Sequence, residues 1–482
     1  MTNGSRAPVL IRGMQPSLLA LLGVGALLAT TWAIVLPPLQ GPDESAHVAA
    51  STRLVEDGSV RGSAGLPREL LVLSDQRGLG PLVGNLAARP DASPAAERRT
   101  AAALRSLGDD RARPLDRRGG PPTRGSARNP LYSLWTAAPY AVGRTAPLVD
   151  RLALMRLFNV PLLLITIAAC WALAAEVVPA SGLARVVAGG VAALQPQLVF
   201  LAGVITPDVL LVALTSVFCL VAARVLCRGA TRGRALSLLV LAIAATATHT
   251  RGAVLLPCAG LALLLALPAG PASRRRAVWA AAGGLAVVAA GAAVAAVALP
   301  SLTPYAGRDA SVREFASYVW QFYLPPLPFM SEPLGGEYGV RDVLETMWGA
   351  FASLEVRYPS WVYDVVIAGL LVAVAGAVAA ALRRRPPVLA GRRLALFVGA
   401  LVLLTLASLH VVAFRLLLVD PTDPIIVGRH LLVLVAPLSL GVAMAVTTLP
   451  RRTATVAAAL LLGALATLDI AALGLMSARF YG

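Results

Sequence analysis

The stretch GPDESAH at 41–47 sets Asp43, Glu44 and His47 within about one helical turn, directly after an apolar run that carries no charge. Asp43 and His47 are four apart and Glu44 and His47 three apart, so on a helix the imidazole reaches one carboxylate while the other faces elsewhere. Two chemistries suit that set. A carboxylate can act as general base on a hydroxyl with the histidine beside it, or Asp43 and Glu44 can hold a divalent cation such as Mg or Mn. The same residues also make an ordinary helix start, with Pro42 at the first position and acids in the first turn. No HExxH or comparable metal signature accompanies them.

Two arginines invite a second chemistry. Arg251 in THTRG and Arg429 in VGRH each open an apolar run. Arginines at such places snorkel to lipid headgroups, or they clamp a phosphate on a lipid-linked substrate, where His430 adds a further donor. Asp208 in ITPDV reads as a helix start capped by Thr206, and Asp420 and Asp423 as turn residues beside prolines. The segment 300–360 is rich in aromatics, among them Trp320, Tyr323 and Trp348. With Tyr132, these suit either an interfacial aromatic belt or a groove for an amphipathic substrate.

What positions such groups follows from composition. In 482 residues, 57% are hydrophobic and 14% charged, which predicts an all-α polytopic membrane protein. A crossing needs about 20 apolar residues, and such runs stand at 16–36, 152–176, 185–204, 207–227, 234–249, 251–268, 277–299, 361–382, 394–418, 429–449 and 453–476, about 11 in all. The stretch 129–149 is interrupted by prolines and Arg144. If it lies at the surface as a juxtamembrane or re-entrant helix, the clusters Arg6/Arg12, Arg224–Arg234, Arg274–Arg276, Arg383–Arg393 and Arg451/Arg452 share one side, which the positive-inside rule makes the cytoplasm. The expected topology is a plasma-membrane protein with its N-terminus inside. That parity, fixed without the polar motifs, sends GPDESAH, RNPLY, ITPD, THTRG and VGRH all to the outer face.

The net charge of +17, with all 42 basic residues arginine, is thus topological rather than a nucleic-acid footprint. No phosphate loop or Walker-type lysine suggests a cytoplasmic nucleotide substrate, and the four cysteines sit in apolar runs without CxxC spacing. The expected organisation is a cytoplasmic N-terminus at 1–15, a transmembrane core at 16–299 with an outer loop at 37–151, an outer aromatic segment at 300–360 and C-terminal helices at 361–482. The loop's ARPDASPAAERRT and the following Pro, Gly and Arg-rich stretch read as mobile.

GPDESAH, RNPLYSL, LMRLFNV, ALQPQLVFLAGVITPD, YVWQFYLPPLPFM, MWGAFASLEVRYPSWVY and IVGRHLLVLVAPL, in this order over about 37–440, resemble the landmarks of the membrane family called domain of unknown function 2142. The resemblance implies a GT-C-like fold with a long first outer loop, and an inverting transfer of sugar from a polyprenyl-phosphate donor to a glycan, glycolipid or protein of the cell envelope. It places the acidic pair of such enzymes at Asp43 and Glu44, with Asp43 as base, Glu44 orienting the acceptor or binding a cation, and Arg429 or Arg251 on the departing phosphate. Rival expectations are a non-catalytic lipid or glycan transporter or scaffold, and a ligase of preassembled glycan.

Overall fold

The structure, a computed structural model, describes residues 15–58, 65–78, 91, 93–112, 114–115, 130–267, 311–330, 339–383, 390–418 and 426–482. It is an all-helical membrane protein. Among the described residues seven helices are long and apolar enough to cross a bilayer, or eight if one bent pair forms a single span.

The N-terminal half runs α1 (Pro16–Val35), α2 (Glu44–Asp57), α3 (Arg68–Arg77), α4 (Pro94–Ser106), α5 (Pro130–Val142), α6 (Leu148–Leu157), α7 (Val160–Val177), α8 (Gly182–Ala193), α9 (Pro196–Ala202), α10 (Pro207–Arg228), α11 (Arg232–Thr248) and α12 (Leu255–Leu265). The C-terminal half adds α13 (Val312–Tyr323), α14 (Val340–Gly349), α15 (Ser360–Arg383), α16 (Gly391–Leu417), α17 (Val435–Thr447) and α18 (Arg451–Tyr481). The run 185–204 falls on the bent pair α8 and α9, the runs 234–249 and 251–268 fall on α11 and α12, which are shorter than the candidate spans, and 277–299 lies outside the described residues. α8 and α9 are the bent pair, at 58°, because Pro196 cannot donate to the preceding turn and the Gln195 side chain caps a new start at Leu198.

α5 has 13 residues, about 20 Å of helix, too short to cross, and it packs against α2 through Ser51 and Thr136 hydroxyls 2.6 Å apart. Between lipid-embedded helices the association rests on close packing, and small buried residues such as Ala174, Ala188, Ala192, Ala222 and Ala436, all 0% exposed, let α7, α8, α10 and α17 approach.

One expectation is corrected. The stretch ARPDASPAAERRT, read as mobile loop, starts α4, with Pro94 at the first position and the Ser93 hydroxyl accepting from Ala96 N–H. The preceding α3 is pinned by a fully buried pair in which Arg151 Nη1 and Nη2 donate to Glu69 at 3.1 and 2.9 Å. α3 buries Leu70 and Leu73 in the main hydrophobic core. The Pro, Gly and Arg-rich stretch at 116–129 lies outside the described residues.

Helix direction then sorts the ends of the bundle. α10 begins at Asp208 and runs 22 residues, about 33 Å, before Arg224 and Arg228, and α11 returns from Arg232 and Arg234 to His249. Arg392 and Arg393 open α16, and Arg451 and Arg452 open α18, whose Tyr481 hydroxyl comes back to donate to Val35 at the end of α1. The arginine-rich ends therefore lie opposite the end that carries Asp43, Asp208, His249 and Arg429.

Candidate functional site

At that end, two short 3₁₀ turns each carry one arginine. Thr250–Val254 precedes α12 and holds Arg251; Gly428–Leu434 precedes α17 and holds Arg429. Each arginine has a glycine neighbour with a steric reason. A Cβ on Gly252 would stand 2.2 Å from the Ala245 carbonyl, and one on Gly428 would stand 2.0 Å from Met347 N. The turns therefore lie against α11 and α14 backbone, and Gly428 N–H also donates to Thr346 Oγ1 at 2.7 Å.

Between them sits Asp208, 4% exposed, at the start of α10. Its Oδ1 lies 3.3 Å from Arg251 Nη2 and its Oδ2 3.7 Å from Arg429 Nε. Arg429 Nη2 donates to Asp43 Oδ2 at 2.8 Å. His249 Nδ1 accepts from Arg251 N–H at 3.1 Å, and its Nε2 lies 3.1 Å from Arg251 Nη2. The cluster thus alternates two carboxylates with two guanidinium groups, and the partly buried His430 lies near both arginines. Among the described residues, Arg251 Nη1, Arg429 Nε and His430 Nδ1 are buried without a hydrogen-bond partner. Orphaned polar atoms are costly in a protein interior unless a ligand or water meets them, and two of these three belong to the arginines that flank Asp208.

Asp43 is the second carboxylate of the cluster and meets it through Arg429 alone. It stands just before α2 in the left-handed region, φ 55° and ψ 16°, a conformation Asp tolerates better than most residues. Its side chain is 64% accessible. Burial raises its pKa; the Arg429 guanidinium and then His47 more than offset this, and the carboxyl ends below its ordinary 3.8. His47 is 8% exposed and edge-on to the Tyr132 ring. Its burial outweighs the opposing pull of Asp43 and Asp208, so its pKa falls below 6.5 and the ring is neutral at pH 7.

Glu44 is placed differently. It is 1% exposed and turned into a bidentate pair, accepting from Arg156 Nε at 2.8 Å and Nη2 at 2.7 Å. Ile205 N–H donates to the first oxygen and Gly41 N–H to the second, each at 3.2 Å. All four acceptor positions of the carboxylate are then used. Glu44 is thus held by four protein donors, a set that does not fit a metal seat shared with Asp43. Arg156 also donates to the Leu36 and Pro37 carbonyls at 2.5 and 2.8 Å, closing the C-terminal end of α1.

The expected groove residues are not gathered at Asp43. Tyr132, 1% exposed, lies under His47 and receives Asn159 Nδ2–H at 3.0 Å. Trp348 is in the main core. Trp320 donates to the Pro325 carbonyl at 3.0 Å on α13, and the Tyr323 hydroxyl meets His410 Nε2 at 2.9 Å. Tyr323 and His410 line an apolar cleft of ≈ 500 Å³ between α15, α16 and α17, whose wall also includes Ile426, Leu431 and Leu434 from either side of Arg429 and His430. Asp420 and Asp423 lie outside the described residues.

His249, Arg156 and Asn159 are not singled out by their sequence chemistry, and Asp208 reads there only as a helix start. Thr206 does cap Asp208 N–H, at 3.4 Å, so the helix-start reading holds alongside its ion pairs. The usable signal was the arginine beside a glycine in both THTRG and VGRH.

Fold and site together define a helical polytopic membrane protein with a buried charge cluster at one end of its bundle. The chain belongs to the family described as "Predicted membrane protein (DUF2142)", whose family model matches residues 26–436. No curated protein and no solved structure matches it.

Proposed function

We propose that the protein is an inverting glycosyltransferase that moves a sugar from a polyprenyl-phosphate donor to a hydroxyl of a glycan, glycolipid or protein of the cell envelope. The observation that carries this reading is the pair of arginines Arg251 and Arg429, each with a buried nitrogen that lacks a partner, of which Arg429 is bonded to the accessible carboxylate of Asp43. The arginine-rich opposite end supports an orientation in the plasma membrane with the N-terminus inside and the cluster outside.

In this reading Asp43 takes the proton of the acceptor hydroxyl as its oxygen attacks the anomeric carbon opposite the phosphate. The bond from that carbon to the phosphate oxygen breaks, and its electron pair leaves with the phosphate, where Arg429 and Arg251 meet the growing charge. The site is neutral before substrate, with two carboxylates against two guanidinium groups. The charge Asp43 loses on protonation reappears on the phosphate, so the transfer leaves the net charge unchanged. The ≈ 500 Å³ cleft is the place for the first part of the lipid chain. Asp43 and Glu44 do not fit a shared cation, so no step runs through one.

The test is transfer of radiolabel from a panel of polyprenyl-phosphate sugars by the purified protein. Asp43→Asn is expected to lose on the order of 10²–10⁴-fold of the rate, the usual scale of a general base. Full activity in that variant would end the assignment.

A further inference from the structure

Arg429 is held by two carboxylates of unequal standing. Asp43 takes Nη2 at 2.8 Å from an accessible position, whereas Asp208 is buried, 3.7 Å from Nε and 3.3 Å from Arg251 Nη2. Asp208 is also tied at the head of α10, where its own N–H donates to Thr206 Oγ1. The unpartnered Nε of Arg429 faces Asp208 and its Nη2 faces Asp43, so an anion that takes two donors of that guanidinium must displace one of the two carboxylates. Asp43 holds the shorter contact, yet it is the carboxylate that can yield, because water can take over its exposed side chain whereas Asp208 is buried.

We infer that Arg429 is an exchange residue: a bound phosphate draws its guanidinium off Asp43, with Asp208 as the fixed pivot, so that Asp43 is free to take a proton only when the donor is in place. This rests on the donor-binding reading above and adds an order to it, phosphate-bearing donor first and hydroxyl acceptor second. The physical reason lies in the resting contact. A guanidinium 2.8 Å from a carboxylate occupies one of its lone pairs and opposes protonation, so an acceptor arriving first finds a poor base. After the exchange, Arg429 faces the phosphate as that group gains charge and Asp43 loses it. Asp208 is a positioning residue here: it keeps two like-charged guanidinium groups side by side without touching substrate.

The test reads binding rather than turnover, with radiolabelled farnesyl phosphate as probe and the full chain in detergent, each variant first checked by its melting curve. Asp43→Asn should bind the probe roughly two- to fivefold more tightly, because the phosphate no longer competes for Arg429. In an Arg429→Gln background the same substitution should change nothing. Asp208→Asn should bind more weakly, although it too removes a negative charge. Equal tightening by Asp43→Asn in both backgrounds would mean simple repulsion across the site and overturn the exchange. Tightening by Asp208→Asn would remove the pivot. If Asp208→Asn fails to fold, the Asp43 and Arg429 cycle decides alone. Undiminished probe binding in both Arg251→Gln and Arg429→Gln is a separate outcome that sinks the donor site itself.

Discussion

Replacing Glu44 by Gln should test stability, not chemistry. Both partners of the Glu44 pair are buried, with side chains 1% and 4% exposed, and Arg156 has no water to turn to once the carboxylate is gone. The amide oxygen of Gln can still accept from one or two donors. Its NH₂ must face another donor from Arg156, Ile205 N–H or Gly41 N–H, so at least two contacts are lost and one guanidinium charge is left uncompensated. Breaking one side of a buried pair costs roughly 3–5 kcal/mol. The loss spreads, because Arg156 also fixes the Leu36 and Pro37 carbonyls at the chain reversal leading to Asp43. Asp43→Asn gives up a pair that is 64% accessible on the carboxylate side, and Asn keeps the left-handed backbone comfortable, so its cost should stay within about 1 kcal/mol. Thermal melting followed by tryptophan fluorescence in detergent separates the two, with the Glu44→Gln midpoint far below both wild type and Asp43→Asn. A Glu44→Gln protein that melts like wild type yet has lost transfer would refute this account and return Glu44 to the reacting groups.

Three further outcomes are expected. Gly428→Ala and Gly252→Ala should lower both melting temperature and farnesyl phosphate affinity, since the new methyl meets backbone at 2.0 and 2.2 Å, whereas Gly463→Ala, with open space around it in α18, should be neutral or slightly stabilising. His47 has its folded pKa below its ordinary 6.5, so unfolding takes up a proton; its contribution is full above pH 6.5 and is lost as pH falls towards the folded value. Melting temperature should therefore drop from pH 7 to 5.5, and His47→Gln should flatten that slope. Arg151→Met leaves Glu69 buried and alone, and should cost roughly 3–5 kcal/mol in a melt while leaving probe affinity per folded molecule unchanged.

Much of the site was legible because hydropathy and arginine placement are long-range signals. They suggest which chain reversals share an end of the bundle, and Asp43, Asp208, His249, Arg251 and Arg429 do meet at one end. The division of labour was not legible, because it depends on backbone geometry at single residues. Asp43 and Glu44 look like a unit in the sequence, yet the left-handed turn at Asp43 starts α2 between them, leaving one carboxylate accessible and sending the next under Arg156. The aromatic segment shows the converse. Trp348 and Tyr323 are 25 residues apart, and helix ends rather than composition decide that one enters the core while the other lines a lipid-sized cleft. Asp208 was the hardest to read, since a helix-start aspartate and a two-arginine bridge use the same residue type at the same place. The distinguishing fact is that its partners come from residues 251 and 429, far along the chain. A buried acid that holds two arginines together without neutralising their outward donors is better suited to presenting positive charge than to cancelling it. The cluster's resting neutrality therefore depends on Asp43, its one accessible member, which an arriving anion can displace from Arg429.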